Sequence, residues 1–366
     1  MIALWLCILT SVADTTRTLA RDTVPADTAV SVKVSGFVDG YVAWDTHRPR
    51  SLDRAFTTAA ARHSEFNINL AYLDATLSGP RVRGRFAAQF GTSVQANYAA
   101  EPRVGNNSGP DVSRFIQEAY VGYQLHPTVW VDAGVFFAPF GAENWISRGN
   151  PVYTRSLIAD NCPYYESGVR LTWQARPSLQ LQGHVINGWQ NISETNQSKA
   201  VAFRADWTPH ARVTLTYDTF LGNEQPDSLP GRLRQFHEGI VKVTIDPRTS
   251  LAATFDYGRQ PRSVGTGADA WRGYAVLLRR ELSSRVGLGA RVEGYSDPAQ
   301  VIVNTGGPAG IRLTGGSANV DVRLHARAVW RTEWRQLSAR DPVFPSGVSA
   351  RVRTNAVGVS SLALTF

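Results

Sequence analysis

From Val30 to the end of the chain, apolar and polar side chains alternate with a period of two, in segments of about ten to fourteen residues bounded by turn formers. Within 81–90, Val82, Gly84, Phe86, Ala88 and Phe90 share one face, and Arg81, Arg83, Arg85, Ala87 and Gln89 share the other. Segments 129–137, 201–207 and 285–293 repeat the pattern. A helix would scatter such residues around its circumference, whereas an extended strand sorts them to two faces. At roughly 3.3 Å per residue each segment spans about 30 Å, which suits a tilted membrane crossing better than the five or six residues of a typical soluble strand.

Alternation alone does not separate a membrane barrel from a soluble β-sandwich, because each buries one face of every strand. The connections decide. Very short ones fall at 78–81, 125–128, 175–178, 207–211, 245–249, 282–285 and 324–327. Longer polar ones lie between them, at about 45–64, 96–113, 139–165, 190–197, 222–233, 260–270, 296–310 and 338–350. Tight turns on one rim and long loops on the other are the arrangement of an up-and-down transmembrane barrel. About seven turns and eight loops give about sixteen strands, with both chain ends on the turn side. The phase slips near 70–75 and 271–282, where bulges are expected, so the count holds to within two. Trp44, Tyr98, Trp173, Trp189, Trp207, Tyr257, Trp271 and Trp334 fall toward strand ends and are expected to form interfacial girdles.

Hydrophobic residues make up 43% of the 366, mean hydropathy is −0.20, and beyond the extreme N-terminus no run approaches the roughly 18 apolar residues of a membrane helix. A helical membrane protein is excluded, while strands escape that test. No linker splits the chain, so 30–366 is expected to be one closed all-β barrel. The formal charge is +8, but basic residues are dispersed among acids, which argues against nucleic acid. Only Lys33, Lys199 and Lys242 are lysines; the other 35 basic residues are arginine.

Residues 1–13 read as a signal peptide, an apolar run followed by Ser11-Val12-Ala13, although no Lys or Arg precedes the run. A short periplasmic segment, 14–29, would follow. After cleavage Cys162 is the remaining cysteine, so no intramolecular disulfide is expected, and the thiol is read as a loop residue without function.

In the final segment Leu362, Leu364 and Phe366 share one face, and a terminal aromatic on an amphipathic strand resembles the signal by which outer-membrane barrels engage their assembly machinery. Phe366 is therefore expected at the turn-side rim facing lipid, with the last strand closing on the strand that starts at Val30. The stretch from Phe115 to about Trp173 resembles the OmpL-like β-barrel porin family of Gram-negative bacteria. Its carriers are 117–121, 133–143, Asn150, Arg155-Ser156, and 164–170 with Gly168-Val-Arg; 319–322 and 330–335 also look like that family. The resemblance covers about a third of the chain at motif level and implies a porin-type barrel in the outer membrane rather than a particular substrate.

The longest loop, 139–165, joins the fifth and sixth strands, the position at which general porins fold a loop inward, and theirs opens with a similar stretch to Pro139-Phe-Gly-Ala-Glu143. Glu143, Arg148, Arg155 and Asp160 on that loop would set charges against the barrel wall and select solutes by charge and size; packing over the outer rim is the alternative. Parity sends Arg81, Arg83, Arg85, Arg170, Arg204, Arg291, Arg331, Arg335 and Arg353 inward, with Asp132, Glu166, Asp218, Glu238, Glu293 and Glu333. An arginine on the lipid face costs about 2 to 4 kcal/mol near the midplane, which agrees with that assignment. The inward arginines outnumber the acids, nine to six, so a weak anion preference is expected.

The expected function is passive diffusion of small hydrophilic solutes, with membrane lipids as surroundings and a homotrimer by analogy with general porins. A closed structural or adhesin barrel is the alternative. A lipid-modifying enzyme is a weaker one: His126, His210 and His325 fall in turns, His184 lies mid-strand beside Gln180 and Gln182, and neither a Gly-x-Ser-x-Gly nor a His-Glu-x-x-His motif occurs. Neither a cofactor nor a metal is expected.

Overall fold

The computed structural model describes residues 29–366, so the expected signal peptide and all but the last residue of 14–29 lie outside the described residues. Sixteen strands close into one antiparallel barrel in which sequence neighbours are spatial neighbours. They are β1 (Ser31–Asp45), β2 (Phe66–Ser78), β3 (Val82–Phe90), β4 (Ile116–His126), β5 (Val129–Phe137), β6 (Tyr165–Arg176), β7 (Leu179–Ile186), β8 (Ala200–His210), β9 (Val213–Asn223), β10 (Leu233–Asp246), β11 (Thr249–Pro261), β12 (Ala268–Glu281), β13 (Val286–Asp297), β14 (Ile311–His325), β15 (Ala328–Ala339) and β18 (Thr354–Thr365). Two short strands, β16 (Phe344–Ser346) and β17 (Ala350–Val352), pair only with each other inside the last long connection. Two of the other long connections carry short α-helices: α1 (Thr92–Asn97) and α2 (Pro110–Ser113) after β3, and α3 (Leu157–Asp160) after β5. Short turns and long loops alternate around the barrel as the sequence predicts.

Closure runs through β1 and β18, in register from Phe37↔Thr365 to Asp45↔Val357. Phe366 extends that ladder. Its carbonyl accepts from Gly36 N at 2.9 Å and its N–H donates to Gly36 O at 3.1 Å. The Phe366 ring lies over Gly36, and with Leu362 and Leu364 it stands half exposed on the outward face. β1 begins five residues before that last rung, and there it pairs with β2 alone.

Only one of the two expected phase shifts is a bulge. In β2, Asn69 is the extra residue opposite Asp39 and Gly40, and its side chain donates to Asp39 Oδ2 at 3.1 Å. β12 instead keeps unbroken register with both neighbours, since its apparent slip reflects the inward placement of large side chains such as Trp271. The girdle is corrected in the same way. Trp44, Trp173, Trp207, Tyr257 and Trp334 face outward, whereas Tyr98, Trp189 and Trp271 turn into the barrel. Tyr98 stacks on Tyr165 at 4.2 Å, and Trp189 packs edge-on against Phe220, Phe236 and Trp271.

Where β5 leads into the longest loop, Gly134 adopts φ 135°, and a Cβ there would stand 2.2 Å from the Ala119 carbonyl oxygen of β4. Only glycine accommodates both the backbone and that approach. Gly134→Val is expected to cost about 1 to 3 kcal/mol of backbone strain in addition to the collision. Ala88→Val, on the outward face of β3, should be neutral. Urea unfolding from lipid vesicles, followed by tryptophan fluorescence, checks the difference, and equal midpoints would refute this account of Gly134.

Candidate functional site

The loop between β5 and β6 enters the barrel and is tied to both walls. Ala138 N donates to Tyr164 O at 2.9 Å, closing the loop's neck. The Pro139 carbonyl accepts from Arg204 of β8, and Gly141 N donates to Glu238 of β10 at 2.7 Å. Phe140 fills the space between these anchors, 5.5 Å from the Phe236 ring and 6.0 Å from Trp189.

The chain then crosses to β1 and β13–β15. Ser147 donates to Asp39 of β1 at 2.8 Å, while the carbonyls of Ser147 and Asn150 accept from Arg331 of β15. Arg148 reaches furthest toward the short-turn rim. It donates to Thr365 Oγ1 at 2.8 Å and to the carbonyls of Ala326 and Arg327 in the turn between β14 and β15. Pro151 presses its carbonyl onto Gly289 of β13, where a Cβ would lie 1.9 Å away.

The return limb rests on a charge network. Thr154 donates through its N–H and hydroxyl to Glu333 at 2.5 and 2.7 Å, and Arg291 donates to the Thr154 carbonyl at 2.5 Å. Glu293 accepts from Arg335 in a two-pronged pair at 2.9 and 2.8 Å, from Arg291 at 3.1 Å, and from Leu157 N at 2.8 Å. Such planar forks give the strongest and most oriented of the ion-pair hydrogen bonds. Ser156 caps α3, and Ile158 seats against Gly273 of β12. At the end of α3, Asp160 accepts from Thr58, at 2.5 Å, and from Arg155, so the β1–β2 loop is drawn in too. Arg155 stacks 4.0 Å from the centre of the Tyr164 ring.

The predicted inward charges therefore divide. Arg291, Arg331, Arg335, Glu293 and Glu333 lie under the loop, fully buried. Arg83, Arg85, Arg170 and Arg204 form a ladder on the opposite wall. Arg83 and Arg170 share Asp132, Arg85 joins Asp74 and Glu118, and Arg204 joins Asp206 and Asp218. Arg83 and Arg85 keep 30% and 21% of their side chains exposed, against 0% for Asp132, 9% for Asp74 and 5% for Glu118. A cavity of about 380 Å³ lies between this ladder and the loop, bordered by Glu118, Tyr120, Phe140, Glu143, Arg170 and Arg204. A second, of about 340 Å³, opens among the long loops near Thr58, Asn97, Asp160, Gln190 and Arg234.

Two of the nine inward arginines are misplaced by parity. Arg81 sits exposed at the β2–β3 turn, donating to the Gln124 carbonyl at 3.0 Å and stacking on Tyr123, because the strand begins only at Val82. Arg353 is exposed in the last loop, before β18 starts. Arg148 anchors to the short-turn rim rather than standing against the mid-barrel wall. The count of nine to six also missed the acids Asp39, Asp74, Glu118, Asp206, Asp256 and Asp321, and it missed the cations Arg234 and Lys242 of β10 and Arg279 of β12. Alternation within each strand held the signal for all of them. Glu166 pairs with His184 at 3.3 Å in full burial beside the Phe136 ring, so His184 is a wall residue; a second mid-strand histidine, His237 of β10, meets the Tyr217 hydroxyl at 2.7 Å.

A closed sixteen-stranded antiparallel barrel with an inward-folded third long loop and a charged interior is a porin-type outer-membrane channel protein. The family model described as "Putative beta-barrel porin-2, OmpL-like" matches residues 31–366, and the chain belongs to that family. The fold is shared with the anion-selective porin of Comamonas acidovorans, at 9% identity over 92% of this chain and 100% of that one, TM-score 0.61. It is shared also with the outer-membrane channel DcaP of Acinetobacter baumannii, at 12% identity over 92% and 97%, TM-score 0.60. OmpT of Vibrio cholerae matches at 10% identity over 92% and 98%, TM-score 0.60. No curated protein sequence matches the chain. Family and fold point to a channel rather than an enzyme.

Within the loop, Glu143 is buried, accepts from Ser156 N at 3.0 Å and from the Ser156 hydroxyl, and lies 3.5 Å from Arg291. Burial raises its carboxyl above the ordinary range of 4.5, outweighing the lowering by Arg291 and by the Ser156 bonds. A raised folded-state value means that the folded loop holds this proton more tightly than the unfolded chain. Its contribution to stability is therefore fully present below about pH 4.5 and is lost as pH rises through the folded value. Glu143→Gln keeps the acceptor for Ser156 without the charge. Melting midpoints in detergent should accordingly fall less between acid and neutral pH in Glu143→Gln than in the parent, and parallel pH profiles would refute the assignment.

Proposed function

We propose that the protein is a passive diffusion channel for small hydrophilic solutes, narrowed by the 139–165 loop and weakly selective for anions. The observation that carries this is the uneven exposure within the ion pairs of the wall facing the loop. On β3 and β6 the guanidinium groups of Arg83, Arg85 and Arg170 stand partly exposed over carboxylates that are nearly or fully buried, whereas on β8 Asp206 is more exposed than Arg204, so the positive surface a solute would meet lies on β3 to β6. Lys242 adds an inward cation without an ion pair among the described residues. The additional acids weaken the simple arithmetic of nine against six but leave this exposed surface positive. The loop sets Glu143 across the cavity from Arg170 and Arg204, an arrangement that would order dipolar solutes between opposite charges. A sixteen-stranded barrel is wide enough for an aqueous lumen that wall side chains alone do not fill.

The anion-selective porin among the structures of like fold agrees with this sign, and the trimer form of Vibrio cholerae OmpT, TM-score 0.60 at 9% identity, agrees with a homotrimer here. The exposure of Phe366 at the short-turn rim of the closing strand supports reading it as the signal for the barrel assembly machinery.

Purified barrel in planar bilayers should give stepwise conductance, and in a tenfold salt gradient a reversal potential on the anion side. Lys242→Glu should move that potential toward cation preference. A barrel giving no steps overturns the channel in favour of a closed structural role, and clear cation selectivity of the parent overturns the sign.

A further inference from the structure

Parity and the cost of charge in hydrocarbon place arginines inside the barrel, yet three stand outside on one row. Across β12, β13, β14 and β15 the pairing Arg272↔Ser296↔Arg312 continues to Arg340, whose N–H donates to the Arg312 carbonyl at 2.8 Å. All three arginines are exposed, on the outward face, at the long-loop rim. None forms an ion pair among the described residues, not even with Asp341 beside Arg340. Arg312 and Arg340 are direct cross-strand neighbours of like charge, an arrangement that destabilises a sheet unless an anion joins it.

The next outward row toward the membrane is Phe255↔Tyr274↔Gly294↔Thr314↔Ser338. The Tyr274 ring lies over Gly294, and beside it the small Thr314 and Ser338 leave a trough. A cavity of about 610 Å³ follows it, open to the lipid side, apolar below and bordered by the three arginines above. At the opposite rim the outward Arg280 is neutralised by Asp246 at 3.0 Å, so unpaired outward arginine is a feature of the long-loop side of these strands.

We infer that this face binds a phosphate-bearing, multiply acylated lipid of the outer leaflet, its phosphates held by Arg272, Arg312 and Arg340 and an acyl chain lying in the trough. Charge complementarity argues for this occupant: guanidinium forks match phosphate oxygens in pairs, and a phosphate between Arg312 and Arg340 relieves their repulsion. The trough beneath argues for a chain attached to that phosphate rather than a free ion. The inference is independent of whether the lumen conducts.

The test titrates diphosphorylated hexa-acyl lipid A into full-length barrel in neutral detergent, with bound lipid read by native mass spectrometry and folding checked by heat-dependent migration on gels. The triple variant Arg272→Gln/Arg312→Gln/Arg340→Gln should bind at least about tenfold more weakly, as should the parent for the dephosphorylated lipid. Thr314→Trp, which fills the trough and leaves the arginines intact, should weaken binding independently if the triple variant fails to fold. Arg280→Gln should bind like the parent. Undiminished binding by both the triple and Thr314→Trp variants overturns the site. Inorganic phosphate binding as tightly as the lipid reduces it to an anion site and overturns the lipid. Loss of an oligomer in the triple variant assigns the face to a second copy of the chain and overturns it as well.

Discussion

Hydrocarbon offers no hydrogen-bond partner, so a sheet can cross a membrane only if both its edges are joined to each other. The closing ladder between β1 and β18 is the one on which the others depend, since it alone joins the first strand of the barrel to the last. Its final rung is the reciprocal pair between Gly36 and Phe366. Gly36 carries no side chain beyond hydrogen, and this leaves the ring of Phe366 a seat against the backbone of β1. The terminal aromatic is thereby both the last member of the ladder and part of the lipid-facing surface.

Closing sixteen strands creates an interior that the wall residues cannot fill, and a polypeptide placed there brings its own peptide groups out of water. The inward loop meets this requirement by using charged wall side chains as partners for its backbone. Glu238 accepts from Gly141, Glu293 from Leu157 and Glu333 from Thr154, while Arg331 and Arg291 donate to the carbonyls of Ser147, Asn150 and Thr154. Each of these ions also has an ionic or hydroxyl partner. Buried charge that would be costly alone is distributed over several bonds, and the loop is held by groups spread over β10, β13 and β15 rather than by one contact.

Most of the barrel was legible in the sequence because period-two alternation and connection length are local properties. They give the strand number, the rim on which each connection lies and the face of each mid-strand residue. The errors have a common origin in knowing where a strand begins. Arg81 and Arg353 lie one residue outside β3 and β18, where alternation no longer dictates direction. Tyr98, Trp189 and Trp271 were assigned to the lipid interface from their position near strand ends, but folding of the long loops gave them an internal surface to pack on. That surface joins residues far apart in sequence, as do the bonds from Thr154 to Glu333 and from Arg148 to Thr365. No local pattern encodes them.

The arginines show how one residue type is put to three uses by depth and face together. On the inward face beneath the loop, Arg291, Arg331 and Arg335 lose all contact with water and serve as connectors. On the inward face of β3, Arg83 and Arg85 cover the carboxylates they pair with and stay partly exposed themselves. On the outward face the cost of charge depends on depth, being large at the midplane and small near the interfaces. Arg272, Arg312 and Arg340 occupy the rim, where that cost is small and where an anionic headgroup can be reached. Alternation tells which side of the wall a charge occupies; its distance from the rim determines whether the charge is structural, exposed to solute or available to lipid.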